Sequence, residues 1–165
     1  MRDAPRHVAA VSRIVDGCVG PLIISSADAF VVHARHADDP ASALAFIERA
    51  IERDPEHIEA HLFAATKVES FHQRMHHLQI AVEAGDRIWI PYARGRGDDM
   101  VWWDHIGTHP YMKAIRALGD CHAEVGNVQA ARWCYERLLR MNPDDDQDVT
   151  ASLEQLDNAS SFRMR

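Results

Sequence analysis

The sequence is poor in the features that mark secreted, metal-stapled or membrane-spanning proteins. It has three cysteines, Cys18, Cys121 and Cys134, and no two of them have C-x-x-C spacing. An odd number of widely spaced cysteines is typical of reduced thiols and does not supply the four close ligands of a structural zinc site. The uncharged run from residue 17 to residue 27 is far shorter than the roughly 20 residues of a membrane helix. Because charged residues also interrupt the N-terminal region, we expect no secretory signal and a cytoplasmic location.

An excess of positive charge is also lacking. The chain has 18 lysines and arginines against 25 aspartates and glutamates, which gives a formal net charge of −7. This balance disfavours general binding to nucleic acid or to an anionic membrane. The 47% of hydrophobic residues and the 26% of charged residues are typical of a folded protein. With 165 residues, we expect one domain over residues 1–157 and a flexible tail over residues 158–165.

The clearest pattern lies in residues 112–145, where apolar and small residues recur at helical spacing before a proline. Leu118 and His122 are one turn apart, and Gly119 lets a second helix approach the first closely. The pattern predicts a helical hairpin that ends at Asn142-Pro143. Its positions are Ile115, Leu118, Gly119, His122, Gly126, Ala131, Tyr135, Leu138 and Pro143.

The same pattern can be aligned with earlier parts of the chain. Residues 24–57 form a first repeat, in which Ala43, Ile47 and Pro55 take the places of Ala131, Tyr135 and Pro143. Residues 58–85 form a weaker middle repeat, which Gly85-Asp86 is expected to end early. Residues 86–110 are then an insertion that carries aromatic residues and a glycine-rich turn at residues 94–97. The chain is therefore predicted to be all-α, with about seven helices.

Local signals predict several helix ends. Asp39-Pro40 and Asp54-Pro55 have the composition of an N-cap residue followed by a first-turn proline. Apolar residues at helical spacing predict an N-terminal helix over residues 5–16. An acidic run after Pro143 followed by Val149, Leu153 and Leu156 predicts a C-terminal capping helix over about residues 145–157.

The hairpin pattern resembles the tetratricopeptide repeat, a helix-turn-helix unit of about 34 residues. Residues 103–114 are similar to the W-x-x-x-x-T-R-P-Y-M-R-A stretch of a subgroup of bacterial tetratricopeptide proteins of unassigned function, and more distantly to the suppressor-of-tumorigenicity type. Residues 142–147 are similar to the N-P-x-D-x-Q ending of that subgroup. His109 stands here where the subgroup has arginine. The resemblance implies a short α-solenoid of about three hairpins plus a capping helix.

In the tetratricopeptide family, the first helix of each hairpin lines a concave groove that binds a partner. The resemblance therefore implies a non-enzymatic scaffold that binds a protein or peptide through this face. Lys113 and Arg116 are three residues apart on the same helix, so together they could grip a carboxylate. The residues predicted to line the groove are Lys113, Arg116, Asp120, Glu124, Asp28, His36 and Glu59.

Two alternatives remain open from the sequence. Eleven histidines are present, and the pairs His57 with His61 and His72 with His76 have the i, i+4 spacing of metal ligands, although a site needs further ligands. An uncovered repeat face could instead pair two copies of the chain. Because Ser25, Ser26 and Cys121 are not set in a G-x-S-x-G elbow, we expect no catalytic residues and no cofactor.

Overall fold

The computed structural model describes residues 13–17, 20–96 and 100–163. Seven α-helices account for most of this part of the chain, together with a two-stranded sheet and two short 3-10 turns. The predicted all-α fold class is confirmed. No helix within the described residues has both the length and the apolar character needed to cross a membrane.

The elements follow one another with short connections. The strands are β1 (Arg13–Gly17) and β2 (Gly20–Ile24), and the 3-10 turns are Trp102–Asp104 and Ile106–Thr108. The helices are α1 (Asp28–Arg35), α2 (Pro40–Arg53), α3 (Ile58–Ala65), α4 (Phe71–Arg96), α5 (His109–Glu124), α6 (Val128–Met141) and α7 (Val149–Arg163).

The helices pack as successive pairs. The contacts α1 with α2, α3 with α4 and α5 with α6 form three hairpins, and α7 packs against α6. Neighbouring hairpins are joined by contacts of α2 with α3, α4 with α5 and α3 with α5. This arrangement has the helical-repeat character that the sequence pattern predicts, because each hairpin buries its apolar face against the next one.

Helix α3 belongs to two hydrophobic cores. A smaller core between α1, α2 and α3 includes Val31, Ile47 and Ala64. A larger core runs from α3 to α7 and includes Leu78 and Leu138. Since α3 contributes to both cores, it fixes the first hairpin against the rest of the chain.

One predicted helix start is confirmed and the other is wrong. Asp39 is the N-cap of α2, and its Oδ1 accepts the N–H groups of Ala41 at 3.0 Å and Ser42 at 2.9 Å. Asp54 instead ends α2, and its buried carboxylate accepts the Ser25 Oγ hydrogen at 2.5 Å. The N-cap of α3 is His57, whose Nδ1 accepts the Ala60 N–H.

The prediction of an N-terminal helix over residues 5–16 is wrong for the residues that can be compared. Residues 13–16 lie in β1, which pairs antiparallel with β2 and sets Ile14 opposite Ile23. The β-branched residues in this segment favour extended backbone, and Ile14 and Ile23 pack against the larger core. Residues 5–12 lie outside the described residues.

The chain stays helical at two places where the sequence suggested an end. Helix α4 continues through Gly85-Asp86 to Arg96, so the middle unit does not end there and much of the predicted insertion is helical. Helix α7 starts at Val149, not near residue 145, and continues to Arg163, which makes most of the predicted tail helical. The glycine-rich turn is helical up to Arg96, and residues 97–99 lie outside the described residues.

Gly85 is required by close packing and does not end a helix. A Cβ at this position would lie 1.9 Å from Cδ2 of Tyr111, so the Tyr111 ring of α5 rests directly on the α4 backbone. The Tyr111 hydroxyl donates to Asp86 Oδ1 at 2.5 Å, and Arg137 of α6 donates to the same carboxylate and to the hydroxyl. Three helices therefore meet at one fully buried tyrosine.

We expect Gly85→Ala to lower the free energy of unfolding by about 2 to 3 kcal/mol, because the new methyl group must displace the Tyr111 ring or the helix. Gly95→Ala in the same helix is the matched control, since a Cβ there meets nothing within 4 Å. Better helix propensity should make that variant about 0.5 to 1 kcal/mol more stable. Urea denaturation followed by circular dichroism measures both changes. Equal effects of the two substitutions would contradict the packing role of Gly85.

Candidate functional site

Helices α3 and α5 lie side by side and line two cavities. The first, which we call cavity one, has a volume of about 250 Å³ and contacts the N-terminal ends of both helices, at Ile58 and Pro110. The second, cavity two, has a volume of about 310 Å³ and contacts their C-terminal parts, at Ala65 and Cys121. Because both helices start near cavity one, they run in the same direction.

One stripe of α5 connects the two cavities. Pro110, Lys113, Ala117, Asp120 and Glu124 follow one another at intervals of three or four residues, so they share one helix face. Pro110 lines cavity one, whereas Ala117, Asp120 and Glu124 line cavity two. Lys113 is exposed and lies between them on this stripe. The α3–α5 face therefore has a cavity at each end, with the exposed Lys113 between them on α5.

The lining of cavity one combines apolar and acidic side chains. The hairpin β1–β2 and the 3-10 turn at residues 106–108 close one side, where a Cβ at Gly107 would lie 2.1 Å from the Pro21 carbonyl oxygen. The apolar lining comes from Leu22, Ile23, Ile58, Ile88, Ile106 and Pro110. The polar lining comes from Asp28, Arg35, Glu56, His57 and Glu59.

The carboxylates of cavity one differ in their partners. Glu59 forms an ion pair with Arg35, and Glu56 forms one with Arg87 at 2.7 Å. Asp28 instead accepts the Nε2–H of His57 at 3.1 Å and the backbone N–H of Ser25 at 2.7 Å. Two of the three carboxylates are therefore neutralised by arginines, while Asp28 is held by hydrogen-bond donors.

The partners of His57 assign its tautomer. Nδ1 accepts the Ala60 N–H at 3.2 Å and so carries no proton, which leaves Nε2–H to donate to Asp28. The imidazole is buried and neutral in this arrangement. Burial raises the pKa of Asp28, but the hydrogen bonds from His57 and Ser25 outweigh it and lower that pKa below its usual value. Asp28 thus keeps its negative charge without an arginine or lysine against it.

Cavity two combines aliphatic side chains with a partly neutralised rim. Leu62, Ala65, Leu78 and Ala117 provide the apolar surface. On the rim, Arg74 forms an ion pair with Glu124 at 2.7 Å.

The other polar groups of cavity two are held within the fold. Asp120 Oδ1 accepts the hydroxyl hydrogen of Tyr135 at 2.7 Å. Burial raises the pKa of the Cys121 thiol, which keeps it protonated and unreactive.

The structure separates the predicted groove residues into groups. Asp28 and Glu59 line cavity one, and Asp120 and Glu124 line cavity two. His36 is exposed at the end of α1, where its Nδ1–H donates to the Val32 carbonyl oxygen at 2.9 Å, and it lines neither cavity.

Lys113 and Arg116 have different surroundings. Arg116 faces α7 and the segment before it, donating to the Gln147 carbonyl oxygen and to Ser152 Oγ at 2.9 Å. Its Nε also donates to Asp120 at 3.1 Å. Lys113 is exposed and forms no ion pair with any described residue. Arg116 is therefore a structural contact, and the joint grip of both cations on a partner's carboxylate stays a prediction.

The histidine pairs predicted from spacing are not brought together as metal ligands. His57 faces Asp28, whereas His61 is buried and its Nδ1 lies 2.9 Å from Nδ1 of His77. His61 Nε2–H donates to the Pro55 carbonyl oxygen at 2.9 Å, so the His77 Nδ1–H must donate to His61. Within the described residues, no group of three or more histidines, cysteines or acidic residues has the geometry to hold a metal ion.

The sequence pattern did not place three lining residues of cavity one: it offered His57 only as one of a metal-binding pair, and it did not single out Ile88 or Ile106. His57, Ile88 and Ile106 come from a turn, a helix and a 3-10 turn that are distant in sequence. The His-x-x-Ala spacing at the start of α3 was a signal for a capping histidine, since the side chain accepts a hydrogen bond from the third residue after it.

Comparisons with known protein families, with curated proteins and with solved structures find no match to this chain. The arrangement of the two cavities is therefore the main guide to function.

We expect stability to fall as pH decreases because of His61. Burial lowers the His61 pKa to about 4 from an ordinary value of 6.5. As pH falls, His61 is therefore protonated in the unfolded chain before it is protonated in the folded protein, and this favours unfolding. The free energy of unfolding should fall by about 1 to 2 kcal/mol between about pH 7 and pH 5. His61→Gln should flatten this slope, and His72→Gln, an exposed histidine on α4, should leave it unchanged. Urea titrations at a series of pH values measure both slopes. An unchanged slope in His61→Gln would show that other groups produce it.

We expect Arg116→Ala to loosen α7, because it removes the contacts to Gln147 and Ser152. The substitution should speed up amide hydrogen exchange more in α7 than in α5. The free energy of local opening in α7 should fall by about 1 to 2 kcal/mol. Arg140→Ala changes an exposed arginine on the neighbouring helix α6 and serves as the control. Unaltered protection of α7 in Arg116→Ala would rule out this anchoring role.

Proposed function

We propose that this protein is a non-enzymatic, cytoplasmic scaffold that binds an extended segment of another protein along the α3–α5 face. The observation that carries the proposal is the stripe of α5 that joins two separate cavities through Lys113. Concave sites with an apolar lining and a few placed polar groups are typical of ligand recognition. Two cavities joined by an exposed surface suit a chain that inserts a side chain into each.

The spacing of the cavities fits a short peptide. Pro110 and Asp120 are ten positions apart on α5, which corresponds to about 15 Å along the helix axis. An extended peptide advances about 3.3 Å per residue, so side chains about four or five positions apart would reach the two cavities. Lys113 would lie beneath the intervening backbone, where an ammonium group can donate to peptide carbonyl oxygens or to an acidic side chain.

The apolar lining of cavity two supports a hydrophobic side chain as one anchor. Leu62, Leu78 and Ala117 present aliphatic surface, and the charged groups of the lining already have partners within the fold. Burial of an aliphatic side chain there gains hydrophobic free energy without leaving a charge unpaired.

The test is selection from a library of random peptides displayed on phage, followed by fluorescence-polarisation binding of the enriched sequences. We expect enrichment of peptides with an apolar anchor. Lys113→Glu should weaken their binding about tenfold, because it reverses the central charge. Thr66→Trp, at an exposed position that lines cavity two, should block the apolar anchor.

Arg49→Glu is the matched control, since it reverses an exposed charge on α2, away from both cavities. All variants should keep the helical circular dichroism spectrum of the native protein. The proposal is overturned if no peptide is enriched, or if enriched peptides bind Lys113→Glu and Thr66→Trp as tightly as they bind the native protein.

A further inference from the structure

Cavity one has a chemistry that is different from that of cavity two. Its lining combines aliphatic side chains with three carboxylates and one arginine. Arg87 lies outside the lining and neutralises Glu56, and Arg35 neutralises Glu59. The remaining carboxylate, Asp28, has two donors, the neutral His57 imidazole and the Ser25 amide. A cation entering the cavity would therefore meet one carboxylate that has no arginine or lysine partner.

We propose that cavity one binds a lysine side chain of the partner segment. This inference rests on the proposed peptide-binding function and names the second anchor. The four methylene groups of a lysine can pack against the aliphatic side chains of the lining while the ammonium group reaches Asp28. Apolar burial and charge complementarity then act on the same side chain.

The geometry at Asp28 favours lysine over arginine. A guanidinium group binds best when it can use both oxygens of a carboxylate in a bidentate pair. Each oxygen of Asp28 already accepts one hydrogen bond, Oδ1 from His57 and Oδ2 from Ser25, so a bidentate guanidinium group would have to reach both remaining lone pairs at once. A compact ammonium group can use a remaining lone pair on one oxygen without displacing either donor.

The first experiment uses n-pentylammonium chloride as a probe for the lysine side chain and does not depend on any peptide. Ile23, Ile58, Ile88 and Ile106 line cavity one, and none of the described residues lining cavity two is an isoleucine. In isoleucine-labelled protein, the methyl signals of these four residues therefore report on cavity one and not on cavity two. We expect n-pentylammonium to shift these four signals saturably, whereas n-pentanol and pentanoate shift them much less.

Two variants test whether binding needs the negative charge of Asp28 and whether the probe occupies cavity one. Asp28→Asn removes the negative charge, and Ile106→Lys places a competing ammonium group at a half-exposed position of the lining. Both should abolish the shifts caused by n-pentylammonium. Val101→Lys is the matched control, because Val101 is also an exposed aliphatic residue but does not line the cavity. If Asp28→Asn fails to fold, Ile106→Lys still tests the proposal.

The second experiment uses a peptide enriched by phage display. Replacing its lysine with norleucine should weaken binding to the native protein about tenfold or more, and should have little effect with Asp28→Asn. Replacement with arginine should weaken binding to the native protein as well.

The outcomes separate the two proposals. If enriched peptides lack a lysine and bind Asp28→Asn and Ile106→Lys as tightly as they bind the native protein, the lysine anchor is wrong while peptide binding stands. If n-pentylammonium binds but no peptide is enriched, the peptide scaffold is wrong and cavity one is a site for a free alkylamine. If n-pentylammonium and n-pentanol shift the signals equally, the role of Asp28 is overturned.

Discussion

The packing of Tyr111 against Gly85 is the contact on which the rest of the structure depends. The ring rests on the α4 backbone, and the hydroxyl lies between Asp86 of α4 and Arg137 of α6. Burial raises the pKa of Tyr111, and the hydrogen bond to Asp86 raises it further, so the hydroxyl remains a donor. A buried charge is costly when it loses its partner, so Asp86, Tyr111 and Arg137 allow little sliding of the three helices.

This constraint on α5 has direct consequences for the candidate site. Tyr111 faces the core. The stripe that includes Pro110 and Lys113 lies on the other side of the helix. Fixing Tyr111 therefore fixes which α5 residues face α3. Helix α3 is held by both hydrophobic cores and also contacts α5. The two cavities lie where these two helices leave space near their ends.

Polar groups in the two cavities have roles in the fold. His57 caps α3 and holds Asp28, Glu124 is paired with Arg74, and Asp120 is held by Tyr135. Such bonds keep the side chains in place, which would reduce the entropy lost in the proposed binding. Arg116 lines neither cavity, and its donors bind the segment before α7 and Ser152.

The sequence by itself determined the helical period, the all-α class, the α2 start at Asp39-Pro40 and the α6 end near Asn142-Pro143, because these depend on neighbours within a few residues. It also placed Asp28, Glu59, Lys113, Asp120 and Glu124 on first helices of hairpins. It did not distinguish a glycine that ends a helix from Gly85, which permits a close contact, since the contacting Tyr111 is distant in sequence. The tertiary structure alone decided that Arg116 faces α7 and that His57, Ile88 and Ile106 meet in one cavity. Those placements depend on helix register and on packing between distant segments, which no local pattern of residues specifies.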